Sequence, residues 1–127
     1  MKPNPVVWFE IYVQDMPRAK AFYEAVFQCQ LAPLPAPSAD THGMQMLAFP
    51  GDMTTMGAGG MLIKMDGVPS GGGTLVYFAC DDCAVEQARV EAAGGTVFKP
   101  KFSIGEYGQA ALVTDTEGNM IGLHSMQ

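Results

Sequence analysis

Histidine and cysteine, the side chains best suited to transition-metal ligation and to proton or redox chemistry near neutral pH, are few in this sequence of 127 residues. There are two histidines, His42 and His124, and three cysteines, Cys29, Cys80 and Cys83. Glu10 and His124 both fall inside strand-like apolar runs. A carboxylate in apolar surroundings has its pKa raised and can serve as a general base, with an imidazole as acid or orienter. Either residue could instead be structural, Glu10 anchoring a hydrogen-bond network and His124 closing an exposed strand end. A divalent ion held by these two alone is disfavoured, because two ligands do not make a tight site and His42 sits in a Pro- and Gly-rich loop. Cys80-Asp81-Asp82-Cys83 has redox spacing at a strand–helix junction. Its two aspartates push a thiol pKa upward, however, and Cys83 falls where a small buried hydrophobe fits.

Methionine is abundant: ten in all, six of them between Met44 and Met65. Met is flexible and polarizable, so Met44, Met46 and Met61 with Trp8 and Phe78 could line a face that accepts flat or apolar ligands. The same residues could fill core gaps or a dimer seam. Ser103-Ile104-Gly105-Glu106-Tyr107-Gly108 is a Gly-hinged connection that either brings Tyr107 over a cavity mouth or is simply a long hairpin loop.

The elements that must position these residues come in two similar sets. Val6–Val13 alternates Trp8, Glu10 and Tyr12 with the apolar Val7, Phe9, Ile11 and Val13, the latter forming the core face. Asp15 is a natural N-cap, Pro17 suits a first helical turn, and Ala19, Phe22, Tyr23, Val26 and Phe27 make an apolar helical stripe. Strands are expected near 31–34, 43–49 and 59–64, separated by Pro33, Pro35 and Pro37, by Pro50-Gly51-Asp52 and by Asp66-Gly67. Pro69-Ser70-Gly71-Gly72-Gly73 reads as a flexible join. The pattern then restarts, with a strand over Leu75–Cys80 and a helix capped by Asp81 or Asp82 from about Cys83 to Ala93. Gly94-Gly95 supplies the stop, and strands follow at 96–102, 109–114 and 119–124, the last two joined by an Asp115–Asn119 turn. The order is βαβββ–βαβββ, an α+β arrangement in a single domain of module 1 (about 1–68) and module 2 (about 74–127).

Composition narrows the function classes. A hydrophobic content of 48% with 16% charged residues is that of a globular protein. A formal net charge of −6 with only seven Lys and Arg argues against nucleic acid. There is no apolar run of about 18 residues and no apolar stretch behind the N-terminus, so neither a membrane span nor a secretory signal is expected. An odd number of cysteines suggests reduced thiols in a cytoplasmic protein.

Three motifs together carry a resemblance: Asp15-Met16-Pro17-Arg18-Ala19-Lys20-Ala21-Phe22-Tyr23-Glu24-Ala25-Val26-Phe27, Val90-Glu91-Ala92-Ala93-Gly94-Gly95, and Asp115-Thr116-Glu117-Gly118-Asn119-Met120-Ile121-Gly122-Leu123. Across essentially its whole length the chain resembles the vicinal oxygen chelate superfamily, which includes glyoxalase I, bleomycin-resistance proteins and extradiol dioxygenases. The resemblance implies two βαβββ modules whose curved mixed sheets enclose a small-molecule cavity, and often a homodimer. In metal-dependent members, a His on the first strand and a Glu on the fourth strand of each module hold a divalent ion. Carried over, those positions fall at Trp8, near Thr74, at Gly122, and within Gly60-Met61-Leu62-Ile63-Lys64, where no ligand is available. Glu10 and His124 each lie two residues beyond such a position and so share its face. The expectation is therefore a small-molecule-binding member with no metal or other cofactor. Trp8, Tyr12, Met44, Met46, Met61, Thr74, Phe78 and Tyr107 would contact the ligand, with Glu10 and His124 as the catalytic candidates. Two alternatives stand beside it. One is a glyoxalase-like lyase, isomerase or dioxygenase using Glu10 or a displaced metal. The other is a dimeric scaffold or partner-binding module.

Overall fold

The computed structural model describes residues 4–35, 43–52 and 54–127; His42 and Pro37 lie outside the described residues. The chain divides into two units, Trp8–Thr74 and Leu75–Gln127, the latter joined by the residues up to Val7. The element order is β1 (Val6–Tyr12), α1 (Met16–Phe27), β2 (Ala32–Pro33), β3 (Gln45–Ala48) and β4 (Gly59–Lys64). It continues with β5 (Thr74–Ala79), α2 (Cys83–Val90), β6 (Thr96–Ser103), a 3-10 turn at Gly105–Tyr107, β7 (Gln109–Thr114) and β8 (Met120–Ser125). The expected α+β order of two βαβββ sets is present.

Each unit builds a mixed sheet with the same path. In the first unit the order is β2-β3-β4-β1, antiparallel except for the parallel pair β1/β4, in which Trp8 faces Gly59 and Glu10 faces Met61. In the second it is β5-β8-β7-β6, again antiparallel except for β5/β8, in which Tyr77 faces Gly122 and Ala79 faces His124. Both helices start on an aspartate in extended backbone. Asp15 accepts from the Arg18 N–H at 3.0 Å and Asp82 from the Ala84 N–H at 3.0 Å. These bonds satisfy N–H groups that have no partner inside the helix, and fix where each helix leaves its strand.

Each helix covers one face of its own sheet. Under α1 lie Val13, Met16, Leu31 and the fully buried Leu62, with Ile11, Ala19, Tyr23 and Phe49 packed against them. Under α2 lie Cys80, Cys83, Ala111, Val113 and Leu123. The apolar stripe of α1 is only partly used. Ala19 and Tyr23 face the core, whereas Phe22, Val26 and Phe27 are exposed. Phe22 and Val26 fall on a flank of the helix, turned away from the line of Met16 and Tyr23, and Phe27 stacks on Tyr23 with ring centroids 6.2 Å apart. Helix α2 is shorter than its pattern suggests. It ends at Val90, after which the N–H groups of Gly94 and Gly95 close turns onto Glu91 and Val90. The glycine-rich join is tied down as well: Ser70 Oγ donates to the Tyr12 carbonyl at 2.7 Å, and Gln14 Nε2 donates to the Val68 carbonyl at 2.9 Å.

Candidate functional site

In the first unit, the face of the sheet opposite α1 gathers side chains from three strands. β1 contributes Trp8, Glu10 and Tyr12 by its two-residue alternation. β4 contributes Met61 and Ile63, and β3 contributes Met46 opposite Ile63. Met46, Met61 and Ile63 are buried, with Trp8, Tyr12, Leu34, Met44 and Met65 packed against them. Five of the residues expected to contact a ligand thus share one cluster: Trp8, Tyr12, Met44, Met46 and Met61. The Trp8 ring lies along Gly59, so close that a side-chain Cβ there would come within 3.1 Å of Cζ3.

One carboxylate is set into this face. Glu10 is 7% exposed, and the Tyr12 hydroxyl donates to its Oε1 at 3.0 Å. Burial raises the Tyr12 pKa well above the ordinary phenol value, and the negative charge of Glu10 and the hydrogen bond to it raise it further. The phenol therefore stays protonated and keeps donating. The arrangement can orient a carboxylate toward a bound molecule, or hold that carboxylate as a base in apolar surroundings.

The second unit puts different chemistry on its corresponding face. His124 stands on β8 between Ala79 and Ala110 of the neighbouring strands, with its Nε2 2.7 Å from the Tyr107 carbonyl oxygen. Tyr107 thus meets His124 through its backbone, from the 3-10 turn, while its side chain is part exposed. Thr74 and Phe78 are not where the sequence pattern put them. Thr74 is exposed at the start of β5, and Phe78 packs with Cys80 and Cys83 against the core under α2. The reason is register. With the two units superimposed on their capping aspartates, Asp15 and Asp82, Val13 corresponds to Cys80, Glu10 to Tyr77 and Trp8 to Leu75. Counting from the strand start instead shifts the second unit by one residue and exchanges its faces. Tyr77 and Leu75 are the residues that sequence reading missed, and the shared N-cap was the signal that could have found them.

The same superposition resolves the open fourth-strand position. Glu10 pairs with Met61 and Tyr77 with Gly122, so Met61 is the counterpart of Gly122. The positions at which metal-dependent members of the resembled superfamily hold their ion are then Trp8, Met61, Leu75 and Gly122. An indole, a thioether, an isobutyl group and a bare Cα are not the imidazole and carboxylate donors such an ion takes. Among the described residues, no three His, Cys, Asp or Glu side chains stand close enough together to hold a metal. The residues present do not fit the ion. The two thiols of the Cys80–Cys83 spacing are buried. Burial, with Glu86 alongside, pushes the Cys80 thiol up to about 11, away from the thiolate that redox chemistry needs.

Comparison with known proteins places this geometry in a family. Residues 6–123 match the family model described as the glyoxalase/bleomycin resistance protein/dioxygenase superfamily. CFP32 of Mycobacterium tuberculosis and of Mycobacterium bovis, which bears a provisional glyoxylase name, is 28% identical over 118 residues, 91% of this chain. The chain spans 43% of the length of that relative. Among solved structures, hypothetical protein BH1468 from Bacillus halodurans shares the fold with a TM-score of 0.72 at 12% identity, covering 99% of this chain and 96% of that one. The methylmalonyl-CoA epimerase from Mycobacterium tuberculosis does so with a TM-score of 0.65 at 13% identity, covering 97% and 91%. The chain belongs to the glyoxalase/bleomycin resistance protein/dioxygenase superfamily.

Proposed function

We propose that this protein binds a small, planar, largely apolar molecule on the helix-free face of its first unit, without a metal at the family's usual ligand positions. The observation that carries the reading is the convergence of Trp8, Tyr12, Met46 and Met61 beside the buried carboxylate of Glu10. Aromatic rings and methionine sulfur accept flat ligands of varied outline, and one oriented carboxylate supplies a polar contact that fixes direction. A thermal-shift screen of planar aromatic fragments on protein dialysed against EDTA tests it. Saturating ligand, at about a hundred times its Kd, adds about 2.7 kcal/mol of apparent stability. Fragments that stabilise the native chain should lose the effect in Trp8→Ala and in Met61→Ala. A screen without hits, or hits that appear only with added Ni or Zn, would contradict the reading.

The setting of Glu10 supports a second reading as well, proton abstraction from a bound substrate in a glyoxalase-like lyase or isomerase reaction. The relative's glyoxylase name is consistent with it. Glu10→Gln separates the two, since a binding protein that uses the carboxylate as its polar contact loses affinity for its ligand, whereas an enzyme keeps substrate affinity and loses turnover. A homodimer and a cytoplasmic location belong to the same proposal. The exposed Phe22, Val26 and Phe27 on α1 and the three free cysteines support them, and light scattering of the purified chain tests the first. No helix is long and apolar enough to cross a membrane among the described residues.

A further inference from the structure

Methionines collect at one end of the sheet of the first unit. The antiparallel register of β3 and β4 sets Met46 against Ile63 and Gln45 against Lys64. One step further along the same ladder, just past the strand ends, Met44 stands opposite Met65. Alternation puts Met44, Met46 and Met65 on one face, while Leu47 and Leu62 turn to the other and pack under α1. Met46 is buried, and the half-buried Met44 and Met65 pack against the cluster it belongs to. Directly opposed residues of an antiparallel pair have Cβ atoms about 5 Å apart, and diagonal ones about 7 Å. Three unbranched side chains rooted that closely can bring their sulfurs to one point.

The chemistry of that point is selective. A thioether is a neutral, soft donor with no proton to lose; it suits Cu(I), whereas Mg and Ca take carboxylate, carbonyl and water oxygens. The rim adds negative charge. Asp66 follows Met65, and its carboxylate lies against Gly43, so close that a Cβ there would strike it. Gly43 has a φ of 72°, which glycine adopts freely, and this turn starts Met44 beside that carboxylate. Lys64 pairs with Asp66 only loosely, at 3.8 Å, and the Asp66 side chain is 73% exposed. Trp8 and Tyr12 pack on the same cluster, and the faces of such rings attract cations.

We propose that Met44, Met46 and Met65 form a three-sulfur site for a soft monovalent cation, Cu(I), at the end of β3 and β4. Met46 is its floor, and Met44 and Met65 are its half-buried walls, open to solvent beside Asp66. The site lies apart from the positions at which metal-dependent members of the superfamily hold their ion. Met61, which occupies one of those positions, pairs with Ala48, further along the ladder from Met44 and Met65. No organic ligand is needed, so the site does not depend on the small-molecule reading.

Ag(I), a redox-stable substitute for Cu(I), tests this by NMR of methyl-labelled methionine. The titration uses a Cys29→Ala background, which removes the one thiol that is not buried. The Met44, Met46 and Met65 methyl signals are expected to shift together and to saturate at one ion per chain. The exposed Met56 and Met126 should respond only to excess. Met44→Leu and Met65→Leu conserve volume and leave the fold intact. Each should weaken Ag(I) binding at least about tenfold, the lower end of what loss of a supporting group costs a metal site. Met61→Leu should bind as its parent does. Anaerobic Cu(I), in competition with bicinchoninate, should rank the variants in the same order. The proposal falls if the three signals stay in place, if Met56 and Met126 shift alongside them, or if both rim variants bind like their parent. A loss confined to Met61→Leu would overturn it too. Ag(I) binding as expected in a protein that answers to no planar fragment would sink the small-molecule reading alone; fragment binding without an Ag(I) response would sink this site alone.

Discussion

The two units follow the same path and differ in what they place on it. On the helix-covered face their residues are equivalent in kind: Val13 and Cys80 at the strand ends, Ile11 and Phe78 behind them, Leu62 and Leu123 on the fourth strand. On the other face the counterparts share little. Trp8 stands against Leu75, Glu10 against Tyr77, Met61 against Gly122, Ile63 against His124. The frame is specified by apolar burial under the helix and by an aspartate cap that fixes where strand becomes helix. Neither requirement touches the opposite face, so that face can carry a buried carboxylate in one unit and an imidazole beside a ring in the other.

The strongest way to break the comparison is through the shared core. Leu62 has no exposed surface and Leu123 is 6% exposed, so Leu62→Ala and Leu123→Ala should each cost about 2–5 kcal/mol in denaturant unfolding. Losses below about 1 kcal/mol for one of them would show that the helix-side faces are not equivalent. Next come the glycines beneath the rings. Gly122→Ala should cost about 1–3 kcal/mol, and much less in a Tyr77→Ala background, because the clash is with that ring. Gly59→Ala, whose nearest contact is Trp8 Cζ3 at 3.1 Å, should cost less than Gly122→Ala. Equal costs would mean the two aromatic–glycine contacts are the same device.

The hydrogen bond between Tyr12 and Glu10 sharpens the contrast further. Tyr12→Phe leaves a buried carboxylate without that donor and should cost about 1–3 kcal/mol near neutral pH. The folded protein holds the Tyr12 proton more tightly than the unfolded chain does. This stabilisation is therefore complete below the ordinary phenol value of 10.0 and is lost progressively as pH rises above it. Unfolding measured across that range should show the native chain losing more stability than Tyr12→Phe; parallel curves would contradict the assignment. The smallest effect is kinetic. Iodoacetamide should label the half-exposed Cys29 before the buried Cys80 and Cys83, and labelling of Cys80 first would contradict the raised pKa of its thiol.

The order of elements was legible because strands and helices repeat with different periods, and the turns carry Gly, Pro and Asp. Trp8, Tyr12, Met44, Met46 and Met61 could be grouped in advance, since β1 alternates cleanly and the methionines cluster along the chain. Thr74 and Phe78 were misplaced because β5 is apolar on both faces; Thr74-Leu75-Val76-Tyr77-Phe78 offers no alternation to fix which side is which. The Tyr12 bond to Glu10 lies two residues along one strand and follows from alternation, but whether Glu10 is buried depends on the strands beside it. The contact of Tyr77 with Gly122 joins residues 45 apart in sequence, and no local pattern encodes it. The half-used stripe of α1 shows the converse limit, since apolar spacing says which residues could face a core and not how much sheet lies beneath them.

Trp8 is the single tryptophan of the chain, and it stands on the face proposed to bind the ligand. Its fluorescence is therefore the most direct reporter of the central claim. Protein dialysed against EDTA should show a saturable change in Trp8 emission on titration with 2-naphthol, excited where the probe's own absorption is corrected. The apparent Kd should be the same when Ni or Zn is added back, and the change should be lost in Met61→Ala. Emission that does not respond, or that responds only after metal is restored, would contradict a metal-independent binding face in the first unit.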